Sequence, residues 1–407
     1  MYKDLLVIEL ANVLAGPAVG MFFAELGARV IKVENPETMG DVTRSWKLPS
    51  EAKESDISSY FSSVNWGKES IAVKASLADG RQVIYDLARR ADILIASYKP
   101  GDDKKLRLDY DTLAEINPRL IYGQITGYGK EDPRAGYDAI LQAASGFTYM
   151  NGTPESAPLK MPVALIDLLA AHQLKEALLL ALIRRMETGE GSYVHTSLLQ
   201  AGIASLANQA ANWLVAGHIP ERMGSEHPNI APYGSVFKTK DEKEIVLAVG
   251  NDQQFKTLCS VLERPELAAI PLYSSNPQRV KNRERLNKIL AEQIAKFERG
   301  QLLERLNSRK VPTGGILNMK EVFEQQGARE LVIEAEMPAS RSAGTQTGQR
   351  LTGLRTIAFE CNFMNFRPEM SPPPHLNEHA EQILAQDLGY DPGRIIALKR
   401  KGVLLWV

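Results

Sequence analysis

The sequence predicts an α/β protein, with a parallel sheet in a large first part and a smaller α+β domain after it. Two observations carry this. Strand-like runs at residues 5–9, 29–33, 70–74, 91–96 and 120–126 alternate with helical stretches, the pattern of a parallel sheet with crossover helices. From residue 235 the pattern changes to short strands joined by the turn Asp241-Glu242, then helices near 252–262, 276–297 and 301–308.

Taken in order, residues 5–9 form a short apolar strand, and Ala15-Gly16-Pro17 marks a turn into a helix over 18–26. Gly16 stands alone and makes no GxGxxG, so the turn by itself does not specify a dinucleotide site. The strand at 29–33 ends at Glu34, and Asn65-Trp66-Gly67-Lys68 precedes the next. Residues 79–89 have helical spacing, Lys99-Pro100-Gly101 breaks the chain, and Asp102-Asp103-Lys104-Lys105 is expected as a solvated turn. Residues 127–136 are rich in glycine and charge and form a loop before a helix at 140–144. Residues 194–216 are expected to be helical, residues 217–234 a linker, 311–315 a turn, 320–326 a short helix, and 378–388 the last helix after Pro372-Pro373-Pro374.

The longest helical signal follows Pro162. Leu168, Leu169, Leu174, Ala177, Leu178, Ala181 and Leu182 recur at helical spacing, and Arg184, Arg185 and then Gly189 close the run. Its first usable side chain is Asp167. At a helix start that carboxylate is expected to be ionised by the amides and the macrodipole. It is either a cap or a nucleophile, and sequence alone leaves both open.

The 407 residues allow two or three domains on a prior of roughly 150 residues each. The net charge of −1, without a dense Lys/Arg block, gives no footprint for nucleic acid. Cys259 and Cys361 are far apart and in no metal-type spacing, which points to reduced thiols. The N-terminus lacks the layout of a signal peptide and no stretch has the length and apolarity of a membrane span, so a cytoplasmic protein with no membrane partner is expected. No metal is expected: the six histidines, His172, His195, His218, His227, His375 and His379, form no ligand pattern. A Ser-His-Asp hydrolase is disfavoured because no GxSxG is present.

Several ordered motifs together resemble the class III coenzyme A transferases (CaiB/BaiF type), the group that includes formyl-CoA transferase, carnitine CoA-transferase and the related α-methylacyl-CoA racemases. They are Ala15-Gly16-Pro17, LGARVIKVENP from Leu26, Gly40-Asp41 with Arg44, Asn65 with Lys68 and Ser70, Pro100-Gly101, Tyr137-Asp138 with Gln142, the Asp167 helix ending in TGEG, and HLNEHAEQIL from His375. The resemblance covers nearly the whole chain. It implies a Rossmann-like large domain plus a smaller α+β domain in an interlocked homodimer, with residues 1–216 and 326–407 in the large domain and 235–325 in the small one.

The resemblance also implies the chemistry. Asp167 matches the family nucleophile, which forms an aspartyl anhydride and then an aspartyl-CoA thioester while coenzyme A moves from an acyl-CoA to a small carboxylic acid. Coenzyme A is a cosubstrate, and no tightly bound cofactor is implied. The implied coenzyme A contacts are Leu14, Ala15, Asn35, Val73, Lys74, Ser97, Tyr98, Lys99, Lys105, Tyr137 and Asp138. Relatives commonly carry Asn-Phe where this chain has Ser97-Tyr98, and Arg at Lys105. After Gly250 the chain reads Asn251-Asp252-Gln253 without the long glycine-only loop of formyl-CoA transferase, so neither formate nor oxalate is assigned. The alternatives are a 2-methylacyl-CoA racemase, whose histidine position is Tyr137 here, and a non-catalytic acyl-CoA-binding protein.

Overall fold

A computed structural model describes residues 2–336, 350–363 and 369–406. They form two compact units, one of residues 1–146, 161–207 and 329–407, the other of residues 147–160 and 208–328.

The first unit is built on six parallel strands: β1 (Leu6–Leu10), β2 (Arg29–Glu34), β3 (Lys68–Ala72), β4 (Ile93–Ala96), β5 (Ile121–Thr126) and β6 (Ser192–Ser197), in the order β3-β2-β1-β4-β5-β6. The chain leaves β1 toward one side and later β4 toward the other, so the crevice for a ligand opens beyond the carboxyl ends of these two strands. Side-chain alternation gives the sheet two faces. Ile8, Leu10, Ile31, Val33, Leu94 and Tyr122 enter one core with the helix Ala78–Ala88 and the C-terminal segment. On the other face the first helix, Ala15–Glu25, packs against the central helix, Leu165–Thr188, whose Leu174 and Leu178 lie over Gly123 of β5.

β3 is an edge strand, and the HLNEH segment covers it. The Asn377 side chain accepts from the Ala72 amide at 2.8 Å, and the His379 amide donates to the Ser70 carbonyl at 3.0 Å. Beyond β3, the Lys74 amide donates to the Val403 carbonyl at 2.9 Å. An edge tied in this way offers no open ladder to another chain.

Several local expectations change. Residues 194–197, expected to begin a helix, belong instead to the sixth strand, because β5 presents an open edge that Tyr193, Val194 and His195 pair with; helices Leu198–Ala204 and Ala207–Ala216 follow. Residues 102–106 are a short helix, with acids in the first turn and lysines in the last complementing its dipole. Residues 313–315 form a strand rather than a turn. The last helix is Pro392–Arg400, capped by Asp391, while residues 378–388 hold only short helical turns.

The second unit carries the strands β7 (Tyr233–Lys238), β8 (Glu244–Ala248) and β9 (Thr313–Gly315) as an antiparallel sheet in that order. The helices Asp252–Val261, Arg283–Ile294 and Arg299–Ser308 cover a core that includes Ile245, Leu247, Phe255, Leu258, Leu286 and Leu302. The stretch 217–234 belongs to this unit, where the buried Arg279 donates to the Ala231 carbonyl at 2.8 Å. A further antiparallel pair, β10 (Val332–Glu336) and β11 (Arg350–Leu354), belongs to the first unit. Among the described residues no helix is long and apolar enough to cross a membrane.

A Cβ on Gly20 would fall 1.9 Å from Oε2 of the buried Glu9. Gly20→Ala should therefore push Glu9 away from its cationic partners and lower stability by about 3–5 kcal/mol, the cost of breaking a buried ion pair. Urea unfolding of this variant beside the wild type measures the loss.

Candidate active site

The turn after β1 is set from below by charge. Glu9, on the face opposite Ile8 and Leu10, is wholly buried, as are Lys32 of β2 and Lys68 of β3. Lys32 Nζ lies 2.9 Å from Glu9 and 3.0 Å from Asp41, and it donates to the Ala11 carbonyl at 2.7 Å. Lys68 Nζ lies 2.7 Å from Glu9 and donates to Asn65 and to the Pro17 carbonyl. Burial opposes the charge on Lys32, but Glu9 and Asp41 outweigh it and hold its pKa above the ordinary lysine value. For Lys68 burial wins, and its pKa falls to about 8.

Asp41 carries this charge to the turn. Its carboxylate accepts the Val13 amide at 3.1 and 3.3 Å, and also the amide and hydroxyl of Thr43. Burial pushes its pKa up, but Lys32 and the Thr43 donors prevail and keep it below the usual carboxylate range. Val13 has a φ of 71°, a left-handed conformation that a β-branched residue adopts only at a cost of about 1–3 kcal/mol. The turn closes so tightly that a Cβ on Gly16 would come 2.3 Å from the Ala11 side chain. Glu34, at the end of β2, takes both the Arg44 guanidinium at 2.7 and 2.8 Å and the Asp41 amide at 2.9 Å, which fixes the Gly40-Asp41…Arg44 stretch.

The central helix begins on the same face. Its cap position, Ala164, makes no side-chain cap bond; instead Asp138, from the start of the helix Asp138–Ala144, accepts the Ile166 amide at 2.8 Å. Gln142 holds the other Asp138 oxygen at 2.7 Å and accepts the Met161 amide, which orders the approach to the helix. Asp167 is therefore free of capping work. It is 7% exposed, and among the described residues no hydrogen bond reaches its carboxylate. The expectation that its helix start would keep it ionised is corrected: burial first, and then the charge of Asp138, raise its pKa to about 7. Desolvation exceeds the dipole here, and the neighbouring Asp138 adds to it. Tyr60 shares the neighbourhood: burial, Asp167, Asp138 and Asp41, in that order, raise its hydroxyl pKa.

On the opposite face of the sheet a cleft of about 230 Å³ lies beyond the ends of β1, β2 and β4. Three of the residues singled out in the sequence line it, Asn35, Val73 and Tyr98, together with Asn12, Glu37 and Ser76, which the sequence reading did not mark. Lys74 stands beside it in an ion pair with Glu37 at 2.6 Å. The Ser97 hydroxyl accepts the Asn12 amide at 3.2 Å and so ties the β4 turn to the β1 turn, which contains Leu14 and leads into Ala15. Tyr137 is exposed at the cap of the Asp138 helix. Lys99 and Lys105 are exposed, and Lys105 pairs with Asp102 at 2.9 Å.

Asp41 and Tyr60 were missed as site residues. The first is visible in sequence only as part of a motif, and the second has no local signal. Among the histidines, His195 sits on β6 with Nε2 3.0 Å from the Thr126 hydroxyl, and burial lowers its pKa to about 4. His375 pairs with Asp56 through Nδ1 at 2.5 Å.

The family model for CoA-transferase family III matches residues 2–380. The chain is 38% identical to the succinate–glutarate CoA-transferase of Agrobacterium fabrum, over 93% of this chain and 94% of that protein. It is 37% identical to the succinyl-CoA:glutarate CoA-transferase of Homo sapiens, over 98% and 88%. Among solved structures, a CAIB/BAIF family protein from Brucella suis matches with a TM-score of 0.81 at 36% identity, over 94% of this chain and 98% of that one.

The raised pKa of Asp167 has a sign that can be tested. Its folded value, about 7, lies above the unfolded carboxyl value, so ionising it costs the native state stability as pH rises from about 4 to 7. Asp167→Asn should therefore be more stable than the wild type at pH 8, by an amount on the order of 4 kcal/mol. Near pH 4 the two should match. Denaturant unfolding at both pH values is the measurement.

Proposed function

The chain belongs to CoA-transferase family III, and from that premise we propose that it moves coenzyme A from succinyl-CoA to a C4–C5 dicarboxylic acid through covalent intermediates on Asp167. The acid class follows the relatives named for succinate and glutarate. The single observation that carries the mechanism is the Asp167 carboxylate itself, buried at the mouth of the central helix with its capping duty taken by Asp138.

In this reading the Asp167 carboxylate attacks the thioester carbonyl; the C–S bond breaks, the CoA thiolate leaves, and a mixed anhydride forms. The thiolate then attacks the aspartyl carbonyl and expels the donor acid, leaving an aspartyl-CoA thioester. The acceptor carboxylate displaces the thiolate to give a second anhydride, and the thiolate takes its acyl group, releasing the new acyl-CoA and free Asp167. One thioester replaces another, so the demand on the protein is to position the groups and exclude water. A carboxylate with few hydrogen bonds to surrender suits the attack.

Coenzyme A would run from the cleft, past Asn35, Val73, Lys74 and Tyr98, over the turns holding Leu14, Ala15, Ser97 and Lys99, to Tyr137 and Asp138, with Lys105 at the periphery. The cleft and the Ser97–Asn12 link between the two turns support that path. We also infer a homodimer. Leu180, Ile183 and Met186 expose a row of apolar side chains on the central helix, which a second copy would cover.

With a panel of acyl-CoAs and free acids followed by mass, the wild type is expected to form new acyl-CoAs, dicarboxylic pairs fastest. Asp167→Asn should lose transfer by about three orders of magnitude or more. Hydroxylamine should trap a hydroxamate at Asp167 only in the wild type, and kcat/KM should rise with pH through about 7 as Asp167 ionises. A variant that keeps its rate would overturn the mechanism. For the dimer, two differently tagged preparations mixed without denaturant should form no hybrid within hours if the chains interlock.

A further inference from the structure

The β1 turn holds an oddity that the transfer mechanism does not use. Val13, a β-branched residue, is kept at a φ of 71°, where glycine would sit without strain. Its amide goes to Asp41 alone, at 3.1 and 3.3 Å. Asp41 is in turn held on every side: by Lys32 at 3.0 Å, by the Thr43 amide and hydroxyl at 3.0 and 2.8 Å, and through its own amide by Glu34 at 2.9 Å. Strain retained by an over-determined surrounding is characteristic of functional turns.

We propose that Asp41 is a positioning residue of the transfer reaction, whose carboxylate, paired with Lys32, holds Val13 left-handed and so fixes the turn that presents Leu14 and Ala15 to the thioester. The inference rests on the proposed reading of that turn as a coenzyme A contact. Two relations connect the turn to Asp167. The first and central helices pack side by side on one face, and each lies in a connection between parallel strands, so both begin at the carboxyl edge of the sheet. Asp41 and Asp167 also act on the same Tyr60 hydroxyl. A turn released from Asp41 would shift the start of the first helix relative to the nucleophile, and attack geometry tolerates little displacement. Asp41 itself touches no reacting atom in this scheme; it works through Val13.

The test separates positioning from stability. Transfer kinetics and thermal unfolding are measured on full-length wild type, Val13→Gly, Asp41→Ala and Asp41→Asn. Asp41→Ala should lower kcat about tenfold or more with KM little changed, and Asp41→Asn, whose amide oxygen can still accept the Val13 N–H, should recover much of it. Val13→Gly should keep kcat within about twofold of wild type, because glycine takes the left-handed conformation without strain and its amide still reaches Asp41. If the Asp41 variants do not fold, Thr43→Val, which removes the 2.8 Å hydroxyl donor that orients the Asp41 carboxylate, takes their place and should lower kcat at unchanged KM. Asp41→Ala, or Thr43→Val in its place, with kcat within about twofold of wild type overturns the proposal, and so does an Asn variant no better than Ala. A wild type that transfers no coenzyme A would instead remove the functional reading beneath it, which these variants do not probe.

Discussion

The buried ions Glu9, Lys32, Asp41 and Lys68 are the constraint on which the first turn, and through it the ligand edge of the sheet, depends. A charge taken out of water costs several kcal/mol unless it is paired, and leaving one partner alone costs about 3–5 kcal/mol. Two carboxylates and two ammonium groups balance here, and the spare donors end on Ala11, Pro17 and Asn65. An apolar cluster of the same volume would fill the space without direction. Hydrogen-bonded ions also fix where the backbone of Ala11 and Val13 must lie. Gly20 belongs to the same design, since any side chain there would occupy the place of the Glu9 carboxylate.

Asp41 and Asp167, two of the three carboxylates whose charge raises the Tyr60 pKa, are driven in opposite directions. Both lose water. Asp41 regains the lost solvation from Lys32 and Thr43 and stays ionised, whereas Asp167 has Asp138 as its charged neighbour and is pushed toward neutrality. Separating the pKa values of neighbouring acids by environment is how one fold assigns them different tasks. Asp138 contributes twice, by accepting the Ile166 amide at the helix start and by adding like charge beside Asp167.

The sheet stands between the cleft and Asp167. Leu10, Val33 and Val73 line the cleft on one face, and Asp167 stands on the helix of the other. At the carboxyl ends of β1 and β4 the Asn12 amide meets the Ser97 hydroxyl and joins the two turns. The edge strand β3 is stabilised from the far end of the chain, by Asn377 and His379, so the floor of the site needs the C-terminal segment.

The sequence by itself determined the alternation of the first five strands and their helices, the change of pattern after residue 235, and Asp167 as the acid at the start of the central helix. Each of these is a local signal: apolar period, turn residues, or a position relative to a helix start. It did not determine β6, because Tyr193, Val194 and His195 are half-buried and become a strand only when β5 offers its edge. Nor did it determine why the Glu34, Asp41 and Arg44 motif exists, since its ion pairs and amide anchors are assembled by the fold, within the stretch from Lys32 to Arg44 and from Asp41 to Val13 of the β1 turn. The ionisation of Asp167 was decided by tertiary structure alone: a local reading sees the helix dipole, while burial and a second carboxylate from another helix set the larger energy.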